Sequence, residues 1–298
     1  MDRRSFLGMM TAATVMANRV SWAAADHKIG TIAVQLYTVR DAIAKDFDGT
    51  LAKVAGVGYT HVELAGFTFD NSEVCYFGKT PQELRDSLDH HGLVAPSTHV
   101  NYKSLSPENF PKVLEASHIL GHEYIVNPWV DEEVRKQPEG WKSVVETFNR
   151  AGAASKKAGF QFAYHNHWFE FLPVDGRLPY DLLLQQCDPQ LVKMEMDLCW
   201  VTAAGADPVK YFNDYPGRFP LVHVKDLKKI PQITTGGAQN FGDSVDLTAV
   251  GSGIIDWKRI FSQAGKAGIK LYIVEHDRPK EPIENIKASY DYLEKLRF

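Results

Sequence analysis

Short apolar runs rich in β-branched and aromatic residues recur about every 30 residues along this chain. They fall at Ile32 to Tyr37, His61 to Leu64, Val94 to Val100, Tyr124 to Trp129, Phe160 to His165, Val192 to Leu198, Phe219 to Val224 and Lys270 to Val274. Between them lie segments with apolar residues at helical spacing, such as Pro81 to His90, Trp141 to Lys157, Pro208 to Tyr215 and Trp257 to Ala267. The first texture predicts strands and the second amphipathic helices. Helix ends are marked by glycine at Gly56-Val57-Gly58, Gly92, Gly121, Gly159 and Gly268, and helix starts by Thr80-Pro81, Ser106-Pro107 and Asp207-Pro208. Eight βα units in about 270 residues predict an α/β fold, a single (β/α)8 TIM barrel over residues 26–298, better than a doubly wound sheet. No linker divides off a further domain. The long irregular stretch from Leu227 to Ile255, holding Thr234-Thr235-Gly236-Gly237 and Gly251-Ser252-Gly253, follows the seventh strand, where barrel loops act as lids.

In such a barrel the reactive groups stand at the C-terminal ends of the strands. The fifth run ends in Tyr164-His165-Asn166-His167-Trp168-Phe169-Glu170, two imidazoles and a carboxylate behind a buried strand. In the sixth, alternation puts Lys193, Glu195 and Asp197 on the face that lines the barrel and Met194 and Met196 outward under the helices. The seventh places His223 and Lys225 on one face, and the eighth ends in Glu275 on the face of Leu271 and Ile273. Mixed carboxylate and imidazole donors without thiolate point to one divalent ion of the Mn, Mg, Co or Zn type with open positions for substrate, Mn2+ foremost.

Composition narrows the function classes. Of the 298 residues 44% are hydrophobic and 23% charged, and the net charge of -4 leaves no basic footprint for nucleic acid. Cys75, Cys187 and Cys199 are too few and scattered for a disulfide framework or zinc knuckle; one disulfide stays open, and at least one of the three reads as a small buried residue. Residues 1–25 stand apart. Arg3-Arg4-Ser5-Phe6-Leu7, an apolar stretch and Ala23-Ala24-Ala25 resemble a bacterial twin-arginine export signal, which implies the twin-arginine export machinery as a partner and a periplasmic mature protein starting near Asp26. The apolar stretch falls short of the roughly 20 residues of a stable membrane span.

The motifs in order resemble the xylose-isomerase-like TIM barrel superfamily of sugar isomerases and epimerases. They are Val34-Gln35-Leu36-Tyr37, Val62-Glu63-Leu64, Tyr164-His165-Asn166-His167, Met196-Asp197, His223-Val224-Lys225-Asp226, Val250-Gly251-Ser252-Gly253 and Val274-Glu275. The resemblance implies a metal held by a strand-five Glu with Asp197, His223 and Glu275. Strand five carries His165 where the family has Glu, so Glu170 is expected to fold back as the fourth ligand, with His165 competing. It also implies proton transfer beside a carbonyl through a metal-stabilised enediolate. Glu275 is the expected base, Lys225 neutralises oxyanion charge, and Glu170 and His165 complete the catalytic set. His99, His167, Glu63, Tyr37, Trp129 and Trp200 are the expected substrate contacts, with Trp168 also at a strand end. Phosphate binding has one candidate, the Gly251-Ser252-Gly253 loop. The expected activity is therefore an isomerase or epimerase on an unphosphorylated sugar or keto-sugar. The alternatives are a lyase or dehydratase on a keto-sugar, inosose or 3-keto-glycoside, and a non-catalytic periplasmic sugar-binding barrel. Homo-oligomerisation stays open.

Overall fold

The computed structural model describes residues 27–70, 73–137, 139–231 and 241–298. Eight parallel strands close a barrel: β1 (Thr31–Gln35), β2 (His61–Leu64), β3 (Val94–His99), β4 (Tyr124–Asn127), β5 (Gln161–His165), β6 (Val192–Asp197), β7 (Leu221–Val224) and β8 (Leu271–Val274). Each pairs with its sequence neighbours, and β1 closes the ring against β8 with Ala33 beside Ile273. The TIM barrel is the expected α/β architecture, in one domain.

Period-two alternation sorts the strand residues into two environments. Inward, Ala33, Tyr124, Val126, Ala163, Leu221, Leu271 and Ile273 form an apolar plug. Outward, Val34, Val62, Phe162, Tyr164, Met194, Met196, Val222 and Val274 join the larger core. Both methionines are fully buried there, as alternation predicts. Further along the inward face toward the strand C-termini, the plug gives way to Gln35, Glu63, His99, His165, Glu195, Asp197, His223 and Glu275, all buried. The barrel is thus dry at one end and ionisable at the other.

Most helix punctuation acts locally. Thr80 and Glu83 form a reciprocal capping box at helix Pro81–His90, and Asp207 accepts from the Val209 amide at the start of Pro208–Asp214. Gly121 caps Phe110–Leu120 in a left-handed conformation with φ 72°, which a side chain disfavours. Ser106-Pro107 does not start its helix. The Ser106 hydroxyl accepts from the Asn109 amide in a turn, and the helix begins at Phe110 with Pro111 in its first turn. The span expected as one helix from Trp257 breaks after Phe261 and resumes at Ala264–Ala267. The sixth run ends as a strand at Asp197, whose carboxylate caps the helix Leu198–Ala203.

The lid stretch has local order of its own. Asp226–Leu227 pairs antiparallel with Leu247–Thr248, and Phe241–Ser244 forms a short helix. The export-signal reading of residues 1–25 and the Thr234-Thr235-Gly236-Gly237 segment lie outside the described residues. Cys75, Cys187 and Cys199 are free thiols, the last two buried. Among the described residues no helix is long and apolar enough to cross a membrane.

Candidate active site

The ionisable end of the barrel opens into a cavity of about 430 Å³ whose lining includes Tyr37, His99, Trp129, His165, His167, Trp168, Trp200, Lys225 and Glu275. Register explains the assembly. Glu195 lies beside His165 on β5 and Asp197 beside His223 on β7, so inward positions of three strands meet at two successive levels.

Two tiers are built from these residues. At the rim, Lys225 is buried to 1% exposure, and its ammonium stands 3.1 Å from Asp197 Oδ2, 2.7 Å from Glu275 Oε2 and 2.7 Å from Asp277 Oδ1. It also lies 5.2 Å over the ring of Trp200. His223 Nδ1 is 2.9 Å from Glu275 Oε2. Beneath, His223 Nε2 reaches Glu63 Oε2 at 2.7 Å, and His99 Nε2 reaches Glu195 Oε2 at 2.8 Å and Glu63 Oε2 at 3.0 Å. Gln35 donates to Glu63 at 2.8 Å, and the Ser97 hydroxyl donates to its other oxygen.

Charge follows from these contacts. Burial alone would raise Glu275, but Lys225 and His223 hold it well below the usual carboxylate range. Burial opposes a proton on His99, yet Glu63 and Glu195 lift it to about 9. Burial likewise opposes charge on Lys225, and Asp197, Asp277 and Glu275 outweigh it. Burial raises Asp197 to about 6 against the pull of Lys225 and His223. His165 and His167 are driven well below 6.5, first by burial, and are neutral.

One ligand atom each from His165, Asp197, His223 and Glu275 lies within 4.8 Å of the others. Asp197 Oδ2 is buried without a hydrogen bond, although Lys225 is close. A buried set of two imidazoles and two carboxylates with an unsatisfied oxygen suits a divalent ion.

The expected site residues separate in this frame. Asp197, His223 and Glu275 come together, with His165 as the fourth member of the group. Glu170 does not join them. Its carboxylate accepts from the Tyr164 hydroxyl and, at 2.9 Å, from the His167 amide, because the chain leaves the barrel after His165 and turns back over the outward side of β5. Burial first, and only partly offset by these bonds, raises Glu170 to about 7. Glu63 is fully buried among Gln35, Ser97, His99 and His223, beneath the residues that line the cavity. His99 lines the cavity with its Nε2 turned to the lower tier, while Tyr37, His167, Trp129 and Trp200 line the walls. The aromatic wall is continuous: Trp168 stands 5.0 Å from Trp200 and 6.3 Å from Trp129 between ring centres, and His167 packs 4.9 Å from Trp129.

Four further residues carry weight that the strand-end reading left unassigned. Glu195 anchors the lower tier, and Asp277 shares Lys225. Glu195 sits two positions from Asp197 on the same face of β6, so alternation signals it, whereas Asp277 lies in a bend past the end of β8. Arg278 donates to the Gly242 carbonyl at 3.0 Å and pairs with Asp243, tying the short lid helix to the end of β8. Gly242 lies on the Trp168 ring, where a Cβ would come within 2.4 Å. No local pattern announces this pair.

The Gly251-Ser252-Gly253 loop, the one candidate for phosphate binding, holds a carboxylate of the chain itself. Its amides point at Asp226, whose carboxylate accepts from Gly251 at 3.0 Å, Gly253 at 3.1 Å, Ile255 at 3.4 Å, the Trp257 indole at 3.1 Å and its neighbour Leu227 at 2.9 Å. A Cβ on Gly253 would lie 2.1 Å from Asp226 Oδ1, so the glycine makes room for an internal anion.

A family model for the xylose isomerase-like TIM barrel matches residues 51–296 of the chain. An inosose dehydratase of Geobacillus kaustophilus is 24% identical over 278 residues, covering 84% of this chain and 87% of its own. Among solved structures, a sugar phosphate isomerase/epimerase from Parabacteroides distasonis superposes with a TM-score of 0.72 at 28% identity, covering 93% of this chain and 97% of its own. The IOLI protein with a bound zinc atom superposes with a TM-score of 0.64 at 16% identity, covering 88% and 95%, a likeness of fold.

Proposed function

We propose, because this chain belongs to the xylose isomerase-like TIM barrel family and joins its metal-capable rim to a carbohydrate-sized cavity, that it isomerises or epimerises an unphosphorylated sugar or keto-sugar. The observation that carries the reading is the convergence of Asp197, His223 and Glu275, with His165 beside them, directly under that cavity. These residues would hold a divalent ion, and when bound it would supply polarisation of a substrate carbonyl, which acidifies the neighbouring C–H. The mixed nitrogen and oxygen donors suit a borderline ion.

The chain's own groups do the rest. Both contacts on Glu275 fall on Oε2, and Oε1 takes the proton from the carbon next to the carbonyl. A carboxylate held so low is charged at neutral pH but a weak base, so the reaction depends on an acidified C–H. The Lys225 ammonium, already buried among carboxylates, faces the negative charge that develops on substrate oxygen. The Glu275 carboxyl then returns the proton to the neighbouring carbon, and neutral His167, just past the end of β5, lines the wall beside it. Trp129, Trp168 and Trp200 stack on the apolar face of the ring and exclude water.

Asp226 supports the unphosphorylated substrate. The loop that would cradle a phosphate already binds this internal carboxylate. The export signal read in residues 1–25 would place the chemistry in the periplasm, which fits a free sugar.

A second reading is a dehydratase, favoured by the likeness to inosose dehydratase along most of both chains. Proton abstraction is the same, and the proton now on the Glu275 carboxyl passes to the departing β-hydroxyl, which leaves as water. Incubation with free sugars, keto-sugars and inososes in deuterated water, followed by NMR and mass spectrometry, separates the two. An isomerase or epimerase leaves a reversible mixture carrying one deuterium, whereas a dehydratase loses water. Glu275→Gln should remove deuterium exchange in either case. Turnover of phosphorylated sugars alone overturns the substrate class.

A further inference from the structure

We propose that the lower tier of the barrel is a second divalent-cation site, formed by His99, His165 and Glu195 beneath the rim. Glu195 Oε2 lies 2.8 Å from His99 Nε2, 3.2 Å from His165 Nδ1 and 3.2 Å from His223 Nε2. Ligand atoms of His99, His165, Glu195 and His223 all fall within 4.8 Å of one another, and all four residues are buried. A hydrogen-bonded layer would leave these atoms satisfied. Instead His165 Nδ1, although 3.2 Å from the carboxylate, makes no hydrogen bond, and neither does Glu195 Oε1. His99 Nε2 does hydrogen-bond Glu195 Oε2, yet two buried lone-pair atoms left over within reach of it are what a ligand cage presents. Around an ion with bonds near 2.1 Å, neighbouring ligand atoms stand roughly 3.4 Å apart in a tetrahedral set.

The two sites can be filled together. A neutral imidazole offers one lone pair, so each ring serves one ion. His223 turns Nδ1 to Glu275 and, with a proton on Nε2, donates to Glu63, which assigns it to the rim with Asp197 and Glu275. His165 is the ring shared by both groups, and its closer carboxylate is in the lower tier, 3.2 Å from Nδ1 against 3.8 Å from Nε2 to Asp197. Glu63, the hydrogen-bond partner of His223, Gln35 and Ser97, stands 3.0 Å from His99 Nε2 at the edge of the lower set.

Charge points the same way. Glu63, Glu195, Asp197 and Glu275 are buried, and with Asp277 they make five carboxylates around one ammonium, Lys225. With every imidazole neutral, as ligation requires, one divalent ion leaves this cluster negative and two balance it. His99 and His165 line the cavity, so an ion can enter from the mouth. The inference is independent of which sugar is turned over.

The test is metal stoichiometry on the full chain. Protein stripped with chelator is reloaded with Co2+ alone or Mn2+ alone, desalted, and measured by plasma mass spectrometry. Two ions per chain are expected, falling to one in Glu195→Gln and His99→Gln, and to one in Asp197→Asn, which keeps the lower site. The Mn2+-loaded parent should show an exchange-coupled paramagnetic resonance spectrum that becomes that of an isolated ion in Glu195→Gln. One ion per parent chain with an uncoupled spectrum overturns the proposal, as does Glu195→Gln that retains two. If the variants fail to fold, the parent's stoichiometry and spectrum decide alone.

Discussion

Replacing Glu170 with Gln separates the two roles that its sequence neighbourhood suggests. The carboxyl is fully buried, accepts from the Tyr164 hydroxyl and the His167 amide, and is raised by burial from 4.5 to about 7. Between those values the folded chain keeps a proton that the unfolded chain releases. The stability due to that proton is therefore complete below about pH 4.5 and is lost as pH rises through about 7. At about 1.4 kcal/mol per pH unit, the loss amounts to about 3 kcal/mol. Gln has nearly the same shape and cannot titrate. Its carbonyl can accept from the His167 amide while its NH2 donates to the Tyr164 oxygen, since a hydroxyl rotates to suit. Urea unfolding of parent and Glu170→Gln from pH 4.5 to 8 should show the variant gaining by about 3 kcal/mol relative to the parent, because every other titrating group is common to both. Metal content should be unchanged. A stability difference that stays flat across this range refutes the burial argument, and loss of metal in the variant refutes the placement of Glu170 outside the metal set.

Asp226→Ala leaves the buried Trp257 indole N–H and the part-buried amides of Gly251 and Gly253 without their acceptor, and should cost about 2 to 3 kcal/mol in urea unfolding. Gly242→Ala drives a methyl to within 2.4 Å of the Trp168 ring, so the short lid helix must shift; KM should rise several-fold in steady-state assays while Tm moves little. Removing metal with a chelator should abolish deuterium exchange, and adding back a divalent ion should restore it, which exchange monitored by NMR will show.

How much was legible depended on whether a rule of period or only a rule of proximity was available. The barrel was legible because its strand and helix textures repeat along the chain, and a parallel ring is the economical way to pair the eight strands. Asp197, His223 and Glu275 were legible because alternation fixes which face each occupies, and adjacent strands then bring consecutive inward positions together. Helix starts were less so. Ser106-Pro107 carries the same signal as Thr80-Pro81, but Asn101 and Ser106 spend their side chains on turns ahead of the helix. The contact of Gly242 with Trp168 depends on a loop path, and no periodic feature encodes it.

Strand five shows where the two kinds of rule conflict. Ala163 faces inward, Tyr164 outward and His165 inward, so alternation alone puts His165 beside Glu195. Glu170 lies beyond the last strand residue, in the turn Phe169–Phe171, where alternation has lapsed. Only its nearness in sequence recommended it, and a carboxylate can be close in sequence to a metal site yet be spent on the packing behind the strand. Tyr164 takes that carboxylate because both lie on the outward side of β5. An imidazole at the inward position places a requirement on the next strand. Glu195, one pleat below Asp197, supplies a carboxylate at the level of His165 Nδ1. Glu195 thus sets negative charge in the tier where His99 and Glu63 stand, beside the free Nδ1 of His165, and that makes the lower tier a candidate for an ion of its own.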